Sequence, residues 1–342
     1  MESPTVMARE IAEIPTATQR FLDGSGHTIA AAAIALDEVN PHLLTTVARG
    51  SSDHAAAYLK YAFELGAGMP VASVGPSVSS IYDVQLALQK TVNLSISQSG
   101  QSPDIVQMAR SAKSGGALTL ALCNAEHSPL SDASDYRIDI MAGPEKSVAA
   151  TKSFVNSVVA GLALLARWQN DVALDQAIRR LPDQFAAALA CDWSPLIEHL
   201  HNHRSIFILG RGPAMAIARE AALKFKETCQ IHAEAYSSAE FMHGPVSIIE
   251  TGFPVLALAS RDAAEPSVIE VSRLLMEHGG EVFITSEGPP QATRMPFVAA
   301  GHGLTDPLVL IVTFYAFIEK LARARGFDPD HPPHLRKVTE TR

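Results

Sequence analysis

Along most of the chain, short apolar runs alternate with longer stretches in which apolar positions recur every three or four residues. One such run is Leu43-Leu44-Thr45-Thr46-Val47-Ala48, followed by the turn Arg49-Gly50-Ser51-Ser52 and a helical stretch from Ala55 to Leu65. The order returns at Ser205-Ile206-Phe207-Ile208-Leu209-Gly210, then Arg211-Gly212-Pro213 and a helical stretch from Ala216 to Thr228. Both turns carry Arg-Gly, and both helices reach a glutamate at a matching place, Glu64 and Glu227. The pattern reads as an internal duplication of one α/β unit.

Further strand-like runs fall at Val71–Val74, Val92–Ser97, Leu118–Leu122 and Tyr136–Ile140 in the first half. In the second half they fall at Ile231–Tyr236, Val255–Ala259, Glu281–Thr285 and Met295–Val298. Helical patterns separate them, notably Ile105–Ser114 and Val268–His278. Residues 5 to 38 and the whole stretch from Ala149 to His203 read as helical. Strand, helix, strand at this rhythm predicts parallel sheets covered on both faces. The expected architecture is α/β: two tandem domains, 1–185 and 186–342, each a flavodoxin-like or Rossmann-like three-layer sandwich. The segment after Phe327, Asp328-Pro329-Asp330-His331-Pro332-Pro333, is too rich in proline for regular structure.

Composition narrows the partners. The chain has 342 residues, with 27 Lys and Arg against 36 Asp and Glu, a formal net charge of −9. That balance argues against a nucleic-acid partner, so an anionic ligand needs a local cradle of backbone amides and hydroxyls. Three unpaired cysteines, Cys123, Cys191 and Cys229, suggest neither a disulfide framework nor a zinc site. No metal or redox cofactor is expected, because neither His-Glu-x-x-His nor Gly-x-Gly-x-x-Gly occurs. Met1-Glu2-Ser3-Pro4 is not a signal peptide, and the apolar stretch Val155 to Trp168 is too short to span a membrane. A cytoplasmic location without membrane contact is the expectation.

The densest candidate chemistry is Ser95-Ile96-Ser97-Gln98-Ser99-Gly100-Gln101-Ser102, between a strand and a helix. Hydroxyls, a glycine and the following helix N-terminus there can cradle a phosphate, with Ser51 and Ser52 at the equivalent end of the first strand. The competing reading is a set of ordinary turn and N-cap serines. Glu220, Lys224 and Glu227 fall at i, i+4 and i+7 and share one helix face, which is either a site or a solvated ion-pair stripe.

Ser97-Gln98-Ser99-Gly100-Gln101-Ser102 resembles the Ser-Gln-Ser-Gly-Glu-Thr phosphate loop of SIS (sugar isomerase) domains. The likeness runs on through Val148 to Phe154, Leu209 to Gly212, Glu220 to Glu227, His232 to Tyr236, Glu240 to Pro245 and Leu335 to Lys337. Nearly the whole chain is similar, in order, to the isomerase half of the glucosamine-6-phosphate synthase family. The resemblance implies that Ser51, Ser52, Ser97, Gln98, Ser99, Ser102 and Val148 bind a phosphorylated amino sugar. It implies Glu227 as the base that moves a proton between C1 and C2 of the open-chain sugar, with Lys224 supplying charge beside it. It implies His243 as the ring-opening residue, donated across a homodimer interface, and Lys337 as an amine that forms an imine at the ketose C2. Glu240 is assigned to loop support.

Two departures stand out. The synthases begin with a glutaminase domain whose nucleophile is an N-terminal Cys, whereas here Glu2 follows Met1. Gln101-Ser102 replaces Glu-Thr, which keeps a hydroxyl and removes a negative charge beside the cradle. The expected reaction is therefore conversion of glucosamine 6-phosphate to fructose 6-phosphate and ammonia. Deglycation of fructose-amine 6-phosphates, a galactosamine or tagatose phosphate substrate, and a non-catalytic sugar-phosphate sensor are the alternatives.

Overall fold

The computed structural model describes residues 3–125 and 127–337; Met1 and Glu2, on which the signal-peptide and glutaminase readings rest, lie outside them. In chain order the first half holds α1 (Val6–Ala12), α2 (Ile14–Gly24), α3 (Gly26–Val39), β1 (Leu43–Val47), α4 (Ser51–Ala67), β2 (Val71–Ser73), α5 (Ser77–Ser80), β3 (Thr91–Ser97), α6 (Pro103–Ser114), β4 (Leu118–Cys123), α7 (Pro129–Ala133) and β5 (Tyr136–Asp139). Four helices follow, α8 (Lys152–Gln169), α9 (Val172–Arg179), α10 (Leu181–Ala188) and α11 (Ser194–Leu200). The rest is β6 (Ser205–Gly210), α12 (Pro213–Cys229), β7 (His232–Ser237), α13 (Ser238–Phe241), a 3₁₀ turn at Pro245–Ile248, β8 (Pro254–Ala257), α14 (Glu265–Glu277), β9 (Glu281–Ile284), β10 (Thr293–Arg294) and α15 (Asp306–Ala324).

Two compact units emerge. One comprises 16–145, 152–179 and 336 onward; the other comprises the start of the chain to Pro15, 146–151 and 180–335. Each holds a five-stranded parallel sheet, ordered β2-β1-β3-β4-β5 in the first and β7-β6-β8-β9-β10 in the second. These are the same order, so the duplication extends to topology. In each, the connections reverse direction between the first and third strands, and the crevice at the C-terminal ends of those strands is where α/β sheets bind ligands. Every residue of β3 is buried, as a strand covered on both faces requires.

Gly50 and Gly212 precede α4 and α12 in the same left-handed conformation, φ/ψ of 56°/−133° and 59°/−136°. Counted from these glycines, Glu64 sits one position earlier in its helix than Glu227. The two glutamates are thus offset by about 100° around the axis, one residue of helical rotation. Glu64 instead faces Lys60 and the backbone N–H of Val71.

Three segments differ from the pattern-based reading. The stretch from 149 to 203 is four helices, broken at Asn170 with its positive φ of 52° and restarted at Pro182 and Pro195. Proline lacks the N–H an unbroken helix would need, but is tolerated in a first turn. The last strand pairs Thr293 with Phe283 and Arg294 with Ile284, rather than spanning Met295 to Val298. Pro296 cannot donate to the ladder, and its carbonyl accepts from Trp193 Nε1 at 2.9 Å. Finally, α15 was not signalled by periodicity, since Leu308-Val309-Leu310-Ile311-Val312 is apolar on every face. That run is buried throughout, as a helical stretch apolar on every face must be.

Buried polar ties fix the second unit. Asp306, at the start of α15, accepts from Arg261 Nε at 2.8 Å, Arg261 N at 3.0 Å and Ala300 N at 2.9 Å. At the chain's start, Thr5 caps α1 through Ala8 N at 2.9 Å, while Asp330 accepts from Val6 N at 2.6 Å and Met7 N at 2.8 Å. Glu10 on α1, which reads as part of a polar helix surface, is buried and accepts from Lys146 N, Ser147 N and Ser147 Oγ. Among the described residues, no helix is long and apolar enough to cross a membrane. Replacing Asp306 by Ala leaves the Arg261 guanidinium without its carboxylate. We expect the urea unfolding midpoint to fall by the equivalent of about 3–5 kcal/mol, with an unchanged slope.

Candidate active site

In the first unit, β1 and β3 are neighbours, with Val47 opposite Ser95, so the turns after them share one end of the sheet. Ser51 and Ser52 open α4 after β1. After β3 the backbone turns through Gln98, Ser99 and Gly100, then enters α6 at Pro103. Ser97 Oγ accepts from Gly100 N at 3.1 Å, and Ser99 Oγ from Gln101 N at 3.3 Å, so the serines shape the loop they belong to. Gly100 has φ 63°, and a Cβ there would lie 2.3 Å from Ser128 Oγ and 2.7 Å from Cys123 Sγ. Only glycine fits. Ser102 is the N-cap residue of α6, yet its side chain makes no capping bond to that helix.

The tie between the two turns was not visible in the sequence. Arg49, after β1, donates through Nη2 at 2.8 Å and Nε at 3.1 Å to Asp104 Oδ2 in the first turn of α6. Asp104 is buried, so this bond holds the loops in register and neutralises a carboxylate beside the serines.

Lys337 lies in the same unit. Its Nζ is 3.1 Å from Glu145 Oε2, with side-chain exposures of 24% and 0%. Ser153 holds that carboxylate through N at 3.1 Å and Oγ at 2.5 Å. The tail is therefore anchored at Lys337 rather than frayed there.

In the second unit, Glu220, Lys224 and Glu227 line one face of α12, and that face is not solvated. The side-chain exposures are 0% for Glu220, 0% for Lys224 and 18% for Glu227. Lys224 Nζ sits 3.0 Å from Glu220 Oε1 and 2.8 Å from Glu227 Oε2. Tyr315, on α15, donates its hydroxyl to Glu220 Oε1 at 3.0 Å. Burial disfavours the ammonium, but the two carboxylates outweigh it and raise the Lys224 pKa above its ordinary value. Glu227 is thus the partly open end of a buried carboxylate–lysine–carboxylate chain.

His243 is exposed, between α13 and the 3₁₀ turn, and its backbone N–H donates to the Glu240 carbonyl at 3.0 Å. The exposed Glu240 side chain plays no part in that bond. Val148 is half-buried in the loop that Glu10 anchors through Lys146 and Ser147. No cluster of side chains suited to a metal ion occurs among the described residues.

A duplicated parallel α/β unit, with a hydroxyl-rich loop at one switch point, defines an α/β fold with its ligand crevice at the strand ends. The SIS domain model matches residues 40–167 and 199–296, and the chain belongs to the SIS-domain family. Glutamine–fructose-6-phosphate aminotransferase (isomerizing) of Symbiobacterium thermophilum is 32% identical over 355 residues, covering 97% of this chain and 58% of that protein. The chain thus spans less than two thirds of such curated relatives. Among solved structures, a provisionally named phosphosugar isomerase of Silicibacter pomeroyi DSS-3 is 52% identical with a TM-score of 0.93, covering 96% of this chain and 100% of that one. The C-terminal domain of glucosamine-fructose-6-phosphate aminotransferase from Francisella tularensis is 26% identical with a TM-score of 0.87, covering 96% and 99%.

The lysine's contribution has a definite pH sign. In the native protein its raised pKa means the stabilisation is complete below about pH 10, the ordinary lysine value, and fades only above it. Lys224→Met reverses the picture, because the buried Glu220 and the partly buried Glu227 then lose their shared ammonium, which favours their neutral forms. We expect a loss of about 3–5 kcal/mol at pH 8 that shrinks markedly at pH 5, read from urea midpoints at the two pH values.

Proposed function

We propose that the chain is a phosphosugar isomerase and deaminase that converts glucosamine 6-phosphate and water to fructose 6-phosphate and ammonia. The observation that carries this reading is Glu227: one carboxylate oxygen is held 2.8 Å from a fully buried ammonium while the side chain keeps an opening to solvent. Such a carboxylate is fixed in place and within reach of a bound sugar, as proton abstraction beside a carbonyl demands. The names of the relatives support sugar phosphates as the substrate class.

In this reading Ser51, Ser52, Ser97, Gln98, Ser99 and Ser102 take the phosphate, helped by the α6 N-terminus, and Val148 contacts the sugar. His243, from the partner subunit of a homodimer, opens the ring. Glu227 then moves the C2 proton to C1 while one amine proton passes to the C1 oxygen, which leaves an imine at C2 and a hydroxyl at C1. The Lys337 amine displaces ammonia from C2, and water releases the ketose and regenerates the lysine.

The test is a coupled assay for ammonia and ketose 6-phosphate over glucosamine 6-phosphate, galactosamine 6-phosphate and fructose-amine 6-phosphates. We expect glucosamine 6-phosphate to turn over, and Glu227→Gln to lower kcat by about 10²-fold or more with binding retained. Binding without turnover on any member would overturn the enzyme in favour of a sensor, and a preference for the fructose amines would make it a deglycase.

Subunit sharing has its own measurement. Glu227→Gln and His243→Ala proteins, each inactive, should regain part of the activity when mixed, because hybrid dimers hold one intact site. A fully active monomer would rule the sharing out.

A further inference from the structure

We propose that Glu145 is the base that frees the Lys337 amine for imine formation, a role that rests on the imine step in the proposed function. An alkyl ammonium has no lone pair, and lysine side chains are ordinarily protonated at neutral pH. Lys337 therefore needs a proton acceptor within reach before it can attack carbon. Glu145 Oε2, at 3.1 Å from Nζ, is in that place, with a side chain wholly shielded from solvent. Its position does not depend on the tail, because Ser153 N and Oγ hold the carboxylate against the first turn of α8. The charged residues adjoining the pair in the chain are the buried Lys152 at the start of α8, Lys146 after Glu145, and Arg336 before Lys337.

The step balances. Nζ passes one proton to Glu145, which turns an ion pair into a neutral amine and a neutral carboxylic acid. Net charge is unchanged, so the transfer needs no solvent in a shielded site. The amine lone pair attacks C2 of the ketose, the Nζ–C2 bond forms, and the C2–O π electrons move to oxygen. That oxygen takes one proton from nitrogen and the other from Glu145, then leaves as water. An iminium Nζ–H remains beside the restored carboxylate, which stabilises its charge. With the amino sugar imine, C2=NH, the nitrogen takes one proton from Nζ and one from Glu145 and leaves as neutral ammonia, and the iminium Nζ–H remains beside the restored carboxylate.

Borohydride trapping tests this on the full chain. The wild-type protein with fructose 6-phosphate should gain the mass of a reduced sugar adduct on Lys337. Glu145→Gln should slow trapping at pH 7 by about 10²-fold, the usual worth of a positioned base. Its rate should recover as pH rises toward the range in which lysine amines deprotonate unaided. A purely structural role would lower the rate equally at every pH, and that result would overturn the proposal. Glu145→Asp keeps a carboxylate with a shorter reach and should trap at an intermediate rate. Should the Gln variant fail to fold, an Asp variant that traps at the wild-type rate with an unshifted profile would overturn the proposal by itself. Absence of trapping in the wild-type protein would overturn the imine and this role together. Wild-type trapping with an unaltered Glu145→Gln profile would overturn the role of Glu145 alone.

Discussion

A strand covered on both faces can present chemistry only where it stops. All seven residues of β3 are buried, and so are four of the five residues of β1. The polar residues of the first unit's candidate site therefore collect in the turns beyond Val47 and Ser97, where the chain leaves the sheet. The reversal of connections between β1 and β3 opens a crevice at those turns that no crossover helix fills. Arg49 and Asp104 then decide how far apart the two loops stand. The same sheet order recurs in the second unit, but there the candidate residues move from the turn to the helix behind it.

Burial sets the second rule, that no charge goes inside without a partner. Lys224 is flanked by Glu220 and Glu227, Asp306 by Arg261, Glu145 by Lys337 and Ser153, and Glu10 by backbone amides. Each arrangement would be costly if one member were lost, and each fixes the geometry of a neighbouring loop or helix. Rigidity at the candidate residues thus comes from polar contacts laid over an apolar frame. Tyr315, donated from α15, shows how far that support reaches.

Much of this was legible in the sequence, and the rest was not for identifiable reasons. Strand, turn and helix follow from local patterns, so both sheets and the serine loop could be read directly. The shared face of Glu220, Lys224 and Glu227 follows from helical spacing, but its burial does not, because α15 covers it from about 90 residues away, and Tyr315 bonds Glu220 at a separation of 95. Glu145, Asp104 and Glu10 carry no motif, and their partners lie 192, 55 and 136 residues distant. The strand expected from Met295 to Val298 failed at one proline, a purely local veto that outweighed three apolar positions. In α15 the unbroken apolar run Leu308–Val312 that demands burial also erased the periodicity by which helices are recognised.

The clasp between Asp330 and the first turn of α1 also orders events in time. Protein chains emerge from the ribosome N-terminus first and fold as they emerge. The strands of the first sheet all lie between Leu43 and Asp139, so they can pair while most of the second unit is still unmade. By contrast, α1 is synthesised before either sheet and meets the Asp330 carboxylate 324 residues later. Until then Val6 and Met7 offer bare amides to water. A helix made before either sheet is thus sealed only after both, a few residues before Lys337 is delivered to Glu145.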